Sequence, residues 1–338
     1  MLNAERKSRM KDIKVVVCGI GNVGSHLVRL LSEKKGIQMT AVVDTDPKKI
    51  GTDPGLMTGE PIGLTITGDL VKACKETEPD LVISMTTPTT ARRAYEEMVP
   101  VIELGIDVLV PNMGTSNLHI SEPELAAEID AKCKEHGVSY LGIGATQVQD
   151  RFILANTEGC SKVDKISFTH YADMHAFSDE SVSHEWGVTL SEEDYWKGIQ
   201  DGTVESHDYF KDGIWYLGAH LGWKIDDVKM ERTCWVNDDK KVWADTFKCQ
   251  GFQGGICKVE TNWIFCRDPE EKYYDRVVVE GTPYIDSVNN YSPDRGLVST
   301  FAALANGIPA VLKAAPGYVN TLTVPACTLI DDEYYKHI

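Results

Sequence analysis

Short apolar runs alternate with helical repeats along the first half of the chain. Apolar runs predict buried strands, and apolar residues at helical spacing between them predict helices. A capping box, Ser121 with Glu124, is expected to open the last of these helices. The predicted strands are Ile13–Cys18, Met39–Asp44, Leu81–Met85 and Val108–Val110, and the helices are Val23–Leu31, Thr89–Leu104 and Glu122–His136. This alternation predicts an α/β fold of Rossmann type, a doubly wound parallel sheet covered on both faces.

The pattern changes after about Thr146. A strand at Val163–Tyr171 and a short capped helix at Ser191–Gly202 lead into longer segments in which apolar and polar residues alternate. Those strand predictions are Asp227–Trp235, Val242–Gln253, Ile256–Cys266 and Tyr273–Gly281. The dipeptide Gly254-Gly255 is a strong two-residue hairpin signal. We therefore expect a second domain of α+β type with a mainly antiparallel sheet.

A helix rich in small residues, Gly296–Lys313, closes the pattern, and Pro309 is expected to bend or end it. The chain then divides into four predicted parts. These are a leader at 1–12, a dinucleotide-binding domain at 13–145, a substrate and dimerisation domain at 146–290, and a C-terminal helix and tail at 291–338 that packs back on the first domain.

Charge and composition narrow the class of protein. The chain has 34 Lys and Arg residues against 51 Asp and Glu, a net charge of −17, which would repel a nucleic-acid backbone. No apolar run suggests a membrane span. The nine cysteines include no Cys-x-x-Cys pair and predict reduced thiols in a cytoplasmic protein.

Three closely spaced glycines follow the first predicted strand. In the Gly19-x-Gly21-x-x-Gly24 spacing, the first glycine permits a tight turn, the second admits a pyrophosphate, and the third lets the helix pack closely. Asp44 ends the next strand, where a carboxylate can accept hydrogen bonds from an adenosine ribose. We predict that a dinucleotide binds at this turn. Its contacts are expected at Gly19, Ile20, Gly21, Asn22, Val23, Gly24 and Asp44.

The acids after the second strand favour NAD over NADP. Asp44 and Asp46 would repel a 2′-phosphate, whereas Lys48 and Lys49 leave NADP open.

Two further loops are expected to close over the cofactor, because ligands lie at the carboxyl ends of parallel strands. The first loop, Ser84–Ala91, supplies Thr86, Thr87 and Pro88. The second, Val110–Asn117, supplies Asn112, and the stretch after the next strand adds Thr146.

Several segments, in order along the chain, resemble 2,4-diaminopentanoate dehydrogenases and the related native amine dehydrogenases. They are the glycine turn, "VVDTDPKKIGTDPG", "DLVISMTTPTT", "LSEEDYWKGIQDGTV", "LGAHLGWKIDD" and "LANGIPAVLKAAPG". The resemblance implies an architecture shared with dihydrodipicolinate reductase and an NAD(P)-dependent oxidoreductase that interconverts an amine with its imine or carbonyl partner. It also implies a homodimer formed through the second-domain sheet, and a pocket between that sheet and the nicotinamide.

The chain departs from this family at two places. Where the family carries acidic residues after the fifth strand, this sequence has Asn112-Met113-Gly114. Where the family has an Asn-Pro-Gly turn, it has Gly144-Ala145-Thr146-Gln147-Val148. The alternatives therefore stay open: a cyclic-imine reductase, an alcohol or ketone dehydrogenase of the same fold, or a regulator that binds the cofactor without catalysis.

Proton-transfer candidates are concentrated in Thr169–Trp186. The catalytic candidates are His170, Asp173, His175 and His184, with Asp173 as a group that orients an imidazole. Glu185, Arg295 and Thr300 are candidates for substrate binding, and Arg295 could hold a carboxylate in a bidentate pair. The spacing of His170 and His175 fits no metal motif, so no metal is predicted.

Overall fold

A computed structural model describes residues 11–338, except 87, 89, 112, 113, 293, 321–323 and 326. The chain forms two compact units. Unit 1 consists of Met1–Ala145 with Ser299–Ile338, and unit 2 is Thr146–Val298. Most of the predicted leader lies outside the described residues.

Unit 1 contains a seven-stranded sheet in which every described pairing is parallel. Its strands are β1 Ile13–Cys18, β2 Ile37–Val43, β3 Ile66–Thr67, β4 Leu81–Ser84, β5 Asp107–Pro111, β6 Ser139–Ile143 and β13 Gly317–Val319. Its helices are α1 Asn22–Ser32, α2 Leu70–Thr77, α3 Ala91–Glu103, α4 Leu118–Ser121 and α5 Pro123–His136. The strand order β13-β6-β5-β4-β1-β2-β3 reverses direction at β1 and β4, where doubly wound sheets bind ligands.

Alternate residues of the sheet enter two separate cores, one on each face. In β1, Val15 and Val17 join the core that includes α1, whereas Val16 and Cys18 join the core that includes α3 and α5. This arrangement explains why the strands are apolar on both sides and confirms the predicted α/β class.

Helix α10, Arg295–Lys313, is the one helix in the described part of the chain with the length and apolar composition to cross a membrane. The sequence predicted this helix as Gly296–Lys313, but not its membrane-spanning length and composition. Leu304, Ile308 and Val311 are buried in the α1-side core of unit 1, which accounts for its apolar character.

Unit 2 is built on a six-stranded sheet in the order β12-β11-β7-β10-β9-β8. Its strands are β7 Lys162–Asp173, β8 Asp227–Val236, β9 Val242–Gln253, β10 Ile256–Cys266, β11 Tyr273–Thr282 and β12 Ile285–Asn290. Its helices are α6 Ala145–Ala155, which starts at the unit boundary, α7 Asp179–Trp186, α8 Glu192–Asp201 and α9 Phe210–His220. Four pairings are antiparallel, but β7 and β10 run parallel, so the sheet is mixed.

The glycine hairpin between β9 and β10 has the predicted geometry. Gly254 and Gly255 have φ of +57° and +78°, the left-handed pair required by a type I′ turn.

One local prediction is wrong, and one is narrowed. Ser121 ends α4, and α5 instead begins with Pro123 at its first turn and makes no side-chain cap, consistent with the fixed φ of proline. Of the two outcomes expected at Pro309, ending the helix is excluded, because α10 continues to Lys313.

Helix α6 buries an acid against α9. Asp150 is 4% exposed, and its Oδ1 lies 3.3 Å from the position that a Cβ on Gly213 would occupy. Burial, aided by the nearby charge of Asp212, raises the pKa of Asp150 to about 8, and Arg151 opposes this shift. In the native state, the Asp150 carboxyl is therefore mainly protonated at neutral pH.

Replacing Asp150 with Asn should therefore stabilise the protein at pH 8 more than at pH 5. In the wild type, the unfolded carboxyl releases its proton near its ordinary pKa of 3.8, whereas the folded one holds it to about 8. Stability thus falls as the pH rises through this interval. Urea unfolding at both pH values tests this, with the exposed Asp239→Asn as control. A D150N effect that is the same at both pH values would contradict it.

Candidate functional site

At the turn between β1 and α1, backbone segments pack in direct contact with one another. Gly19 has φ +93°, and its N–H donates to the Val43 carbonyl at 2.8 Å. A Cβ on Gly19 would lie 2.7 Å from the carbonyl carbon of Met85, and a Cβ on Gly24 would lie 2.2 Å from the Gly19 oxygen. Only glycine fits at these two positions.

Gly21 differs from both, because a Cβ there would have no atom within 4 Å. It is the N-cap of α1, has no side-chain cap, and is exposed together with Asn22, whereas the Ile20 side chain is fully buried. The open side of the turn therefore presents the free N–H groups of a helix N-terminus, a preferred place for phosphate. This arrangement fits a dinucleotide pyrophosphate.

Asp44 connects the tip of β2 to the glycine turn. It is 8% exposed, and its Oδ2 accepts hydrogen bonds from Ile20 N at 2.7 Å and Lys49 Nζ at 3.0 Å. Its Oδ1 accepts from Asp46 N at 2.9 Å. Burial alone would raise the pKa of Asp44, but the donors at Asp46, Ile20 and Lys49 lower it overall, so the group is a carboxylate at neutral pH.

The loop after β4 is anchored by an acid that the sequence analysis missed. Thr86 Oγ1 donates to Glu97 Oε2 at 2.9 Å and lies 2.9 Å from Ser84 Oγ. Glu97 is on α3, and no motif marks it. Pro88 is buried. Thr87 and Asn112 lie outside the described residues, and Thr146 is at the start of α6 in unit 2.

In unit 2, Asp173 and His175 form a dyad at the end of β7. His175 Nδ1 lies 2.6 Å from Asp173 Oδ1, and its backbone N–H donates to Asp173 Oδ2 at 3.0 Å. Asp173 is fully buried and also accepts from Asp268 N at 2.9 Å, whereas the imidazole is 41% exposed. The carboxylate fixes the Nδ1–H tautomer and leaves Nε2 able to exchange a proton.

His170 is also on β7, but it belongs to a separate buried group formed where β7 pairs with β11. Its Nδ1 lies 2.6 Å from Asp275 Oδ1, its direct cross-strand partner in β11. Arg295 Nη2 donates to Asp275 Oδ2 at 3.3 Å, and Gln149 Nε2 lies 3.4 Å from His170 Nδ1. One arm of the arginine fork is therefore already engaged, and Nη1 is buried with no hydrogen-bond partner among the residues that the structure describes.

The remaining candidates belong neither to the Asp173–His175 dyad nor to the His170 group. His184 is 62% exposed and contacts the Thr203 carbonyl through Nδ1 at 2.9 Å. Burial and the charge of Glu205 raise the pKa of Glu185 to about 7, opposed by Ser181 and His184. Thr300 is on α10 in unit 1, whereas Arg295 is in unit 2. Within the described residues, no three metal-binding side chains converge.

The strand order, the glycine turn and the acid on β2 define a dinucleotide-binding unit of the oxidoreductase type. Residues 13–120 match the family model for the N-terminus of dihydrodipicolinate reductase, and residues 147–261 match that for the 2,4-diaminopentanoate dehydrogenase C-terminal domain. The chain is 28% identical to 2,4-diaminopentanoate dehydrogenase of Acetoanaerobium sticklandii, over 94% of each chain. The resemblance carried by the sequence motifs is thereby confirmed.

Solved structures show the same fold. Amine dehydrogenase from Mycobacterium smegmatis superimposes with a TM-score of 0.81 at 20% identity, covering 96% of this chain and 99% of that one. Scyllo-inositol dehydrogenase from Lactobacillus casei, solved with NAD(H) and scyllo-inositol, gives a TM-score of 0.53 at 13% identity, covering 82% and 76%. These matches support the two-sheet architecture.

The two exchanges Gly21→Ala and Gly24→Ala should separate ligand binding from folding. G24A should lower the free energy of unfolding by about 1–3 kcal/mol, because its methyl group overlaps the Gly19 carbonyl. G21A should cost less than about 1 kcal/mol, the scale of an N-cap change, but should weaken NADH binding. Thermal unfolding and fluorescence titration measure the two effects. Unimpaired NADH binding by G21A would remove the turn from the cofactor site.

Proposed function

We propose that this chain is an NAD(P)-dependent oxidoreductase that interconverts a small amine with its imine or carbonyl partner. The observation that carries the proposal is the glycine turn, in which a Cβ on Gly21 would meet no atom and Asp44 accepts a hydrogen bond from Ile20 N. The relationship to 2,4-diaminopentanoate dehydrogenase supports the reaction class, because its similarity extends across both units.

The N–H groups at the start of α1 hold the pyrophosphate, and the Asp44 carboxylate accepts the adenosine ribose hydroxyls. Glu97 fixes Thr86 on the adjoining loop. When bound, the nicotinamide supplies or accepts the hydride.

His175 is the proton-transfer group in this proposal. Its Nε2 takes a proton as amine is oxidised and returns it in the reverse direction, while Asp173 stabilises the imidazolium through Nδ1. The chain has Asn112, not a carboxylate, after its fifth strand, so an acid there is not available for this role.

A screen of turnover with amines, cyclic imines and hydroxy acids tests the reaction class. We expect NAD(P)H formation with an amine, or its consumption with a carbonyl compound and ammonium. Turnover confined to hydroxy acids or ketones without ammonium would contradict the proposal, and so would binding of NADH without turnover of any compound.

His175→Ala should lower kcat by about 100-fold or more, the usual scale of general acid–base catalysis, and leave NADH affinity unchanged. Asp173→Asn should act in the same direction, because it removes the acceptor that fixes the tautomer. Steady-state kinetics and NADH titration measure both. The exposed His220→Ala on α9 is the matched control. If His184→Ala reduced kcat while H175A did not, the proton-transfer role would move to His184.

We propose NAD as the preferred cofactor, with NADP accepted less well. The ionised Asp44 opposes a 2′-phosphate, but the Lys49 ammonium lies 3.0 Å from that carboxylate, where it can offset the repulsion.

Asp44→Ala should therefore weaken NADH binding more than NADPH binding, and Lys49→Ala should do the opposite. The exposed Lys48→Ala serves as control, since its side chain makes no described contact with Asp44. Dissociation constants for both cofactors in each variant test this. Equal losses for the two cofactors in D44A would refute the ribose assignment.

We also propose that the protein is a homodimer, as the family resemblance implies. Support comes from β8, an edge strand in which every residue is half-buried or exposed, including Trp235. The mass in solution by light scattering tests this.

A further inference from the structure

Strands β7 and β10 are parallel, so their carboxyl ends lie at the same edge of the unit 2 sheet. Asp173 ends β7 directly opposite Cys266, which ends β10. The two residues that follow Cys266 therefore meet the loop that follows Asp173 and carries His175. We call these two residues, Arg267 and Asp268, the β10 corner.

The β10 corner donates a hydrogen bond to the carboxylate of the dyad. Asp268 N–H donates to Asp173 Oδ1 at 2.9 Å, and the same oxygen lies 2.6 Å from His175 Nδ1. A carboxylate that accepts from a fixed backbone donor cannot turn without losing that bond. The direction of the Asp268 N–H therefore sets the direction in which Asp173 faces the imidazole.

The Asp268 side chain is itself held at both oxygens. It is 7% exposed, its Oδ2 accepts from Tyr171 Oη at 2.8 Å, and its Oδ1 accepts from Glu270 N at 2.8 Å. Tyr171 is two residues before Asp173 and so lies on the same face of β7. Burial, the bond to Asp268 and the adjacent Cys266 thiol raise the pKa of Tyr171, so its hydroxyl remains a donor. A chain of hydrogen bonds thus runs from Tyr171 through Asp268 to the dyad.

The same corner holds the far end of the loop. Arg267 Nη2 donates to the Phe177 carbonyl at 2.9 Å. His175 lies between Asp173 and Phe177, so its loop is attached to the β10 corner at both ends. Loss of the Asp268 contacts should therefore change the orientation of the dyad while Arg267 keeps the loop attached.

We propose that Asp268 is a positioning residue for proton transfer, which holds the Asp173 carboxylate so that His175 keeps its Nδ1–H tautomer. Tyr171 supports Asp268 in this role. Asp268 acts through Asp173, because its own carboxylate bonds to Tyr171 and Glu270 and not to the imidazole. The inference rests on the proposed function for the role of His175, but on the geometry of unit 2 for the contacts.

The tautomer of His175 tests this inference without any turnover. NMR of protein labelled with ¹⁵N-histidine distinguishes a protonated Nδ1 from a protonated Nε2 at about pH 9, where a histidine ring is normally neutral. His175→Ala identifies the signal. Wild type should show the Nδ1–H tautomer, whereas Tyr171→Phe and Asp268→Ala should shift the population towards Nε2–H. Asp268→Asn should keep more of the wild-type tautomer, because its amide oxygen can still accept from Tyr171.

Tyr274→Phe is the matched control. Its ring stacks on that of Tyr171 from the neighbouring strand, with centroids 5.1 Å apart, but its hydroxyl makes no hydrogen bond with a described residue. This variant should keep the wild-type tautomer and the wild-type kcat.

Steady-state kinetics gives the second readout. Y171F and D268A should lower kcat by roughly 10- to 100-fold, the effect of a misplaced catalytic group, with no change in NADH affinity. D268N should recover part of this loss.

Three results would overturn the inference: a wild type in the Nε2–H tautomer, the wild-type tautomer in folded Y171F, or an equal change in Y274F. Should D268A fail to fold, Y171F alone decides. If no amine is turned over, the proposed reaction fails, and the tautomer comparison still decides the positioning role.

Discussion

Helix α1 approaches the turn after β1 so closely that a methyl group on Gly24 would overlap the carbonyl oxygen of Gly19. This contact sets the position of the helix N-terminus at the point where the strand order reverses. Asp44 then ties the turn to the next strand through Ile20 N, and Lys49 closes the group by contacting both Asp44 and the Ile20 carbonyl. The glycine turn, the Asp44 carboxylate and Lys49 are therefore joined by hydrogen bonds into one unit.

In unit 2, the pairing register of the strands determines which polar side chains meet. Pairing of β7 with β11 places His170 opposite Asp275, and pairing of β7 with β10 places Asp173 opposite Cys266 at the strand ends. A shift of one residue would move each side chain to the other face of the sheet. Two histidines close in sequence thus acquire different environments. His170 is buried beside the Asp275 carboxylate. His175 contacts the buried Asp173 carboxylate, and its own side chain is 41% exposed.

Local signals predicted much of this structure. The strands Ile13–Cys18, Val242–Gln253 and Ile256–Cys266 have the expected bounds, because strong apolar runs and a glycine hairpin mark them. Asp173 contacts His175, two residues away, and such short-range pairs are visible in sequence. Asp275 and Gln149 were missed because they lie far from His170 along the chain and meet it only through strand pairing and helix packing. The capping prediction at Ser121 failed because a short helix, α4, precedes Pro123.

The departures from the related family lie after the fifth and sixth strands, while the glycine turn and Asp44 of the proposed dinucleotide cradle are present. The account therefore depends most on that cradle. A fluorescence titration of the unsubstituted protein with NADH tests it directly. We expect saturable binding well below millimolar concentration, with quenching of tryptophan emission or enhancement of the nicotinamide signal. Absence of binding at millimolar NADH and NADPH would contradict the account, because the proposed enzyme would then have no hydride carrier.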